Sequence, residues 1–588
     1  MRFTGISLNL KDWNRDDVKR TALMVLTKLA RTSLPEILLV STYIISRYLP
    51  NADFSYPYEL LMPIALFAVL ISIFYYAYRL IFKRALTAHA AALPLTYSLY
   101  NYGDLYDQAS AVLKPVLPDS LETAFTMSLL AVLGAALVYG LAAFLIVKLA
   151  RRWPSLAIEQ QLFKIALFII TFNFAVQAVV LGNYLFQTRN QLSYSYDKAP
   201  PVRKAGTAVS TPDIYYLVFD RYANSETLQR TYGYDNTQFT NYLSDQQFVT
   251  RKNSYANYPY TMSSIGSTLA MDYVPQLSKF ATEDKQTGFP YRSILNDPPV
   301  VRTLKENGYK YNLVSSWWDF LRIGVKPDSE PTKSYRLRIA GHNFYQSDFS
   351  RDVINRTVLS PLLKKGLGIG GTTFIRYELD RDPTENFESQ ISALGKIAKG
   401  DSREPQFTFA HILLPHEPYV YNADGSKTTY SHDRNDDGED EYVKYTNQVT
   451  YANKRIEELI NTIKTSSPDA VIIFQSDEGP YPKQFRGALT KEKYYDPKVL
   501  PEENMKQKMS ILASYYFPGV DKSKVAANMN SNVNAFRFVL SQYMGYDLPP
   551  LPDCNLSMGN KFDLFSYTLL NKQLKGEDAA KQCDKYVR

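Results

Sequence analysis

Pro212–Leu228 reads PDIYYLVFDRYANSETL. Six apolar or aromatic residues in a row, Ile214–Phe219, with no polar alternation, predict a strand buried on both faces, and Asp220 ends it. A strand covered on both sides belongs to a sheet with helices on each face. Outward from there the pattern repeats. Thr237–Gln246 and Val300–Asn307 read as helices, and Tyr311–Ser315, Phe407–Leu414 (FTFAHILL) and Ala470–Gln475 (AVIIFQ) as short strands. Tyr445–Thr465 is an amphipathic helix running into the last of them. Apolar strands alternating with helices predict an α/β domain with a mostly parallel central sheet. Ligands of such sheets sit beyond the carboxyl ends of the strands. Here three ends carry chemistry: Asp220, Ser476-Asp477-Glu478-Gly479, and Pro415-His416-Glu417-Pro418-Tyr419. Each alone reads as a turn former. Converging on one sheet edge, with hydroxyls in Tyr260-Thr261-Met262-Ser263-Ser264, they describe carboxylates around one divalent cation that activates a hydroxyl.

The chain before this domain is of another kind. Ser33–Leu49, Leu60–Tyr78, Phe125–Leu149 and Phe163–Phe186 qualify well as membrane-spanning helices, which need roughly 20 apolar residues. Leu86–Tyr102 is a weaker fifth segment, with His89 and Pro94 inside it. Basic residues decide the count. Arg15, Lys19, Arg20, Lys28 and Arg31 precede the first segment, Lys83 and Arg84 follow the second, and Lys148, Arg151 and Arg152 follow Phe125–Leu149. Placing all three clusters in the cytoplasm requires Leu86–Tyr102 to span, which gives five spans and an outward chain after Arg189. The polar N-terminal stretch shows no cleavable signal peptide. His89 reads either as a functional group at membrane depth or as a hydrogen-bonding helix contact. The expected organisation is a transmembrane domain over 1–189, a polar linker over 190–210, an extracytoplasmic domain over 211–553 and a tail over 554–588.

Across 588 residues, 66 Lys+Arg oppose 58 Asp+Glu, a formal charge of +8. The excess sits mostly in the membrane part, so it reports orientation rather than nucleic-acid binding. No zinc-finger spacing, P-loop or GxGxxG turn opens a strand–helix unit, which argues against nucleotide and DNA partners. Aromatic residues at 14% speak against a disordered chain, and only two Cys exclude a disulfide-built scaffold. Cys554 and Cys583 both lie outside in this topology, where an oxidising compartment favours pairing them; two unpaired thiols are the alternative.

The segments around the strand ends resemble the sulfatase-like members of the alkaline phosphatase superfamily, which include lipoteichoic acid synthases and phosphoethanolamine transferases. PDIYYLVFDRYANSETL resembles the first metal-binding strand and turn. GYDNTQFTNYL (Gly233–Leu243), followed by ANYPYTMSSIGSTLAMDY (Ala256–Tyr273), resembles the nucleophile segment. HILLPHEPY (His411–Tyr419) resembles the PHxP segment, QSDEGPYP (Gln475–Pro482) the second metal motif, and SNVNAFRFVLSQYMGYDLPPLPD (Ser531–Asp553) a stretch of bacterial members. The resemblance runs in order over Thr211–Asp553.

That resemblance implies that Asp220 and Asp477 are metal ligands and that Thr261, heading a T-x-x-S pattern, is both nucleophile and ligand. Glu478 departs from the pattern, which has His after that Asp. As a ligand, Glu478 shifts the preference toward Mn, Mg or Ca, with Zn still possible. His416 is expected to hold a phosphoryl oxygen or act as general acid. His411, Ser264, Trp317 and Trp318 are substrate-binding candidates, with core packing the competing reading for His411 and for at least one Trp. Neither Cys stands in C-x-P-x-R and no S-x-P-x-R occurs, so arylsulfatase chemistry is disfavoured. Asp433, Asn435, Asp437 and Gly438 begin like a calcium loop. Lys444 stands where that loop needs a Glu, so a solvated acidic loop is preferred. The expected function is a membrane-anchored phosphotransferase or hydrolase with one divalent metal ion. It would act on a lipid-linked or cell-envelope glycan substrate from the outer side of a bacterial inner membrane. The alternative is a non-catalytic protein of the same fold that binds a glycan or a protein partner.

Overall fold

Ile214–Phe219 is a strand with all six residues buried, because helices cover both of its faces. The computed structural model describes residues 32–101, 124–153, 157–199, 201–204, 210–316, 324–332, 336–339, 342–345, 347–357, 367–369, 372–378, 383–400, 402–428, 441–482, 500–559 and 563–587. In chain order its strands include β1 (Ile214–Phe219), β2 (Val249–Thr250), β3 (Lys310–Val314), β4 (Arg336–Ile339), β5 (His342–Tyr345), β6 (Leu367–Ile369), β7 (Thr372–Glu378), β8 (Gln406–Ile412), β9 (Val471–Gln475) and β10 (Ala513–Tyr516).

The main sheet runs β2-β10-β9-β1-β8-β3. Its four strands β9, β1, β8 and β3 are parallel, and β10 and β2 close one edge antiparallel. The expected mostly parallel sheet is therefore present. Residues of one parity, including Tyr216, Val218, Phe409 and Ile473, pack with Ile265 of the helix Thr261–Ala270 and Phe536 of the helix Asn534–Met544. Residues of the other parity, including Leu217, Phe219 and Phe474, pack with Phe387 of the helix Pro383–Ala398 and Val449 of the helix Glu441–Ser466. Each such large apolar side chain contributes about 1.5–3 kcal/mol relative to exposure. The helix expected at Val300–Asn307 starts one residue earlier, at Pro299. Proline suits the first helical position, since its fixed φ is already helical and its missing N–H has no partner there anyway.

The chain divides into two compact units, one of Met1–Phe186 with Arg336–Glu378, the other of Gln187–Tyr335 with Leu379–Arg588. Each of the five segments expected to span overlaps a helix: Leu34–Tyr48, Leu61–Phe82, Ala85–Tyr100, Ala124–Arg152 and Ile158–Leu192. Only two stretches among the described residues are long and apolar enough to cross a membrane, Pro57–Phe82 and Gln160–Leu192. Two of the five expected spans thus meet that standard among the described residues. Leu34–Tyr48 and Ala85–Tyr100 have 15 and 16 residues, short of the roughly 20 a bilayer needs. His89 Nδ1 meets the fully buried Glu36 at 2.6 Å and its ring stacks on Tyr75. It joins the helix Ala85–Tyr100 to Leu34–Tyr48, as a helix contact does.

Between β3 and β8 the chain makes an excursion into the first unit. There β5-β4-β7-β6 form an antiparallel sheet, and the helix Asp348–Asn355 buries Phe349, Val353 and Ile354. Phe349 meets Tyr48 edge-on at 5.3 Å. In the second unit Cys554 and Cys583 form a disulfide, and Leu556 and Phe565 between them enter the core beside the helix Thr261–Ala270.

Candidate active site

β1 lies between β8 and β9, so the chain ends of all three strands are neighbours. The register places Val218 beside His411 on one side and Gln475 on the other. Asp220 comes two residues after Val218, and Asp477 two after Gln475. Strand parity therefore sends Asp220, Asp477 and His411 to the same face. That face is the one covered by the helix Thr261–Ala270.

One ligand atom from each of Asp220, His411 and Asp477 lies within 4.8 Å of the others, and all three residues are buried. His411 Nε2 stands 3.6 Å from Asp220 Oδ2 and 3.9 Å from Asp477 Oδ2, too far for hydrogen bonds. Asp220 Oδ1, both Asp477 carboxylate oxygens and both His411 nitrogens are buried without a hydrogen-bond partner. Each such orphan costs about 1–3 kcal/mol. Several converging on one point are what a cation site requires, since an ion satisfies them together. The donor set, two carboxylates and an imidazole, fits a divalent metal ion.

Electrostatics distinguish the two aspartates. Burial raises the Asp477 carboxyl far above its usual pKa, and the charges of Asp220 and Glu478 push it further. Burial also acts on Asp220, but the facing charges of His416, His411 and Arg221 outweigh it and hold that carboxyl below its usual range. Two close, buried carboxylates resist joint ionisation unless a cation intervenes.

Thr261 is the first residue of its ten-residue helix, and it is buried. Its hydroxyl tempers the rise at Asp477 without completing a hydrogen bond to it. Ser264, one turn on, is also buried, with its amide on Tyr260 and its carbonyl accepting from Ser267 and Thr268. His416 is more open, with a quarter of its side chain exposed, and its Nδ1 contacts the Glu417 carbonyl.

Glu478 is placed differently from Asp477. Its Oε1 accepts from Arg221 Nε at 2.9 Å and its Oε2 from Lys508 Nζ at 2.7 Å. Arg221 Nη1 also donates to Glu417 Oε2 at 2.6 Å. Tyr481 lies under both cations, 4.4 Å from the guanidinium and 3.9 Å from the ammonium. Burial lowers the Lys508 pKa to about 8, against the opposing pull of Glu478. Arg221 has φ +61°, left-handed backbone that costs an L-residue roughly 1–2 kcal/mol. Gly479 allows the close approach on which this cluster depends. A Cβ there would stand 2.2 Å from the Gln507 carbonyl and 2.7 Å from that of Lys508.

The structure thus brings Asp220, Asp477, His411 and Thr261 together, sets His416 nearby, and ties Glu478 to two cations outside the three-ligand group. Trp317, Trp318 and the acidic residues Asp433–Gly438 lie outside the described residues. Sequence reasoning missed Arg221, Lys508 and Tyr481. Adjacency to Asp220 was the one signal for Arg221, and Lys508 offered none, being 30 residues beyond Glu478.

A family model described as Sulfatase matches residues 218–529. Among solved structures, the integral membrane lipooligosaccharide phosphoethanolamine transferase A (EptA) of Neisseria meningitidis is 14% identical, with a TM-score of 0.38 over 88% of this chain and 95% of that one. The periplasmic domain of EptC from Escherichia coli, in complex with Zn, is 12% identical, with a TM-score of 0.37 over 65% of this chain and 100% of that one. A putative sulfatase from Bacteroides thetaiotaomicron is 10% identical, with a TM-score of 0.35 over 60% and 78%. Comparison with curated protein sequences gave no match.

Proposed function

The chain belongs to the sulfatase family, and on that premise we propose that it is a membrane-anchored, metal-dependent transferase or hydrolase of phosphoryl-linked groups, with Thr261 as nucleophile. The reading rests on one observation above the others. Asp220, His411 and Asp477 hold unpartnered buried donors within 4.8 Å of one another, and the Thr261 hydroxyl, at the start of the helix Thr261–Ala270, acts on Asp477.

Asp220, Asp477 and His411 would hold the ion, with Thr261 beside them. A divalent ion there supplies charge neutralisation and lowers the pKa of the Thr261 hydroxyl. The Thr261 oxygen, its proton lost to solvent, bonds to phosphorus as the bond from phosphorus to the leaving oxygen breaks. His416, the more open of the two histidines, gives that oxygen its proton. The helix N-terminus at Thr261 favours the negative phosphoryl group. In the second half, His416 takes the proton of an acceptor hydroxyl, whose oxygen bonds to phosphorus as the bond to the Thr261 oxygen breaks, and that oxygen regains a proton from solvent. An alcohol acceptor makes the reaction a transfer, water a hydrolysis.

The apolar helices of the first unit suit a substrate in or at a membrane, a lipid-linked or envelope glycan component, in a bacterial inner membrane. The five-helix arrangement with the chain beyond Arg189 outside belongs to the same proposal. A topology reporter fused after Ser210 should be active only if it works outside the cytoplasm. The chemical test is mass measurement of the metal-loaded full chain after exposure to a chromogenic phosphate ester. A phosphoryl adduct on the peptide carrying Thr261 is expected. An adduct on Ser264, or none with metal bound, sinks the nucleophile assignment.

A further inference from the structure

Arg221 is more deeply engaged than a turn residue needs to be. Its Nε is held by Glu478 and its Nη1 by Glu417, and its plane lies on Tyr481. Lys508 completes the group on the far side of Glu478, fully buried. Two carboxylates and two cations cancel in this cluster. Neither cation is thus needed to balance Asp220 and Asp477, which a divalent ion would neutralise by itself. The cluster is also rigid. The guanidinium has two of its edges fixed and one face stacked, a preorganised donor in the sense that matters for anion recognition.

One edge remains. Nη2 of Arg221 has no hydrogen-bond partner among the described residues, and the side chain keeps 11% of its surface open. Arg221 follows Asp220 directly, and its charge acts on that carboxyl. Its carboxylate partner Glu417 follows His416, the residue on the open side of the site. Through these neighbours the guanidinium is tied on one side to Asp220 of the metal-ligand group, by its charge, and on the other to Glu417 beside His416, by a hydrogen bond.

We infer that Arg221 binds substrate through Nη2, donating to a non-bridging oxygen of the phosphoryl or phosphodiester group, with Glu478, Glu417 and Tyr481 acting as positioning residues that hold the guanidinium in place. Lys508 fixes Glu478, and so fixes Arg221 at one remove. On this view Glu478 serves the anion side of the site rather than the metal side. The inference rests on the phosphoryl-transfer reading above and names a specificity residue within it.

The test is calorimetric and does not need turnover. Metal-loaded full chain in detergent is titrated with inorganic phosphate, and separately with dimethyl phosphate, which keeps two non-bridging oxygens but carries one charge. Wild type should bind at least inorganic phosphate. Arg221→Lys keeps the charge but loses the planar fork, and should weaken phosphate binding about 10–100-fold, the loss of one charge-assisted hydrogen bond, while metal content stays at the wild-type level. Glu417→Gln removes the charge from the acceptor of Nη1, loosening its hold, and leaves Arg221 in place, so phosphate binding should fall less than in Arg221→Lys. Because Arg221→Lys tests folding as well, its melting temperature and metal content are read first, and Glu417→Gln serves if that variant does not fold. In that case, a Glu417→Gln protein that binds both probes as wild type does overturns the positioning of Arg221. Arg221→Lys that retains metal and binds phosphate like wild type overturns the inference and leaves the transferase reading standing. Wild type that holds metal yet binds neither probe overturns that reading and the inference with it.

Discussion

Asp477 and Glu478 are adjacent carboxylates on one turn, and the fold uses them in opposite ways. Asp477 is buried with both oxygens unpartnered, facing Asp220 and His411. Glu478 is buried with both oxygens paired, to Arg221 and Lys508. On the turn after β9 a one-residue step therefore separates a point that lacks positive charge from one that is filled with it. Unsatisfied buried charge marks where a ligand is missing. Satisfied buried charge marks a wall. By this criterion the point that fits a metal lies at Asp477, and the imidazole of its donor set comes from His411 on β8, across β1 from β9.

The sharpest way to break this comparison is at the nucleophile beside Asp477. Thr261→Ala should lower turnover by about 10⁴-fold or more, the scale seen when a nucleophile is removed, with metal still bound through the carboxylates. Ser264→Ala should cost far less, and the reverse ranking in a phosphate-ester assay would move the nucleophile to Ser264. Next comes the cation side. Lys508→Met leaves Glu478 buried with one partner fewer, and should destabilise the folded protein by ~3–5 kcal/mol. Chemical denaturation reads this directly, and an unchanged midpoint would show that Glu478 does not depend on Lys508.

Smaller is the effect of the tail. Cys554→Ser with Cys583→Ser opens a 29-residue separation that the disulfide closes, and loop entropy assigns this about 3–4 kcal/mol, less any compensation in the reduced state. Melting of the double variant against wild type measures it; no shift would mean that the buried side chains of the tail hold it unaided. Within the metal shell, His411→Gln should weaken metal binding by roughly 10–100-fold, as loss of a positioned donor does. Glu478→Gln should change metal content least of all, since both of its oxygens are paired with Arg221 and Lys508. Metal analysis of these two variants side by side is the direct comparison. Greater metal loss in Glu478→Gln than in His411→Gln would return Glu478 to the ligand set.

Much of this protein was legible in its sequence for a physical reason. A strand covered on both faces must be apolar throughout, so IYYLVF, FTFAHILL and AVIIFQ announced β1, β8 and β9, and acids at their ends announced the site edge. Hydropathy likewise separated the apolar helices of the first unit from the rest. What the sequence left open was decided by contacts between residues far apart. Glu478 looked like a ligand because its neighbour Asp477 did; its pairing with Lys508, thirty residues later, and with Arg221, on the turn after β1, exists only in the folded chain. His411 looked like a core histidine because it lies inside a strand; the register of β8 against β1 gave it Asp220 as a neighbour. The excursion Arg336–Glu378 carried no sequence mark at all, since its membership of the first unit depends on Phe349 reaching Tyr48. Local pattern reports which faces are buried, because burial is a property of each element's own periodicity. Which charge meets which is a property of strand order and register, and those exist only once the chain has folded.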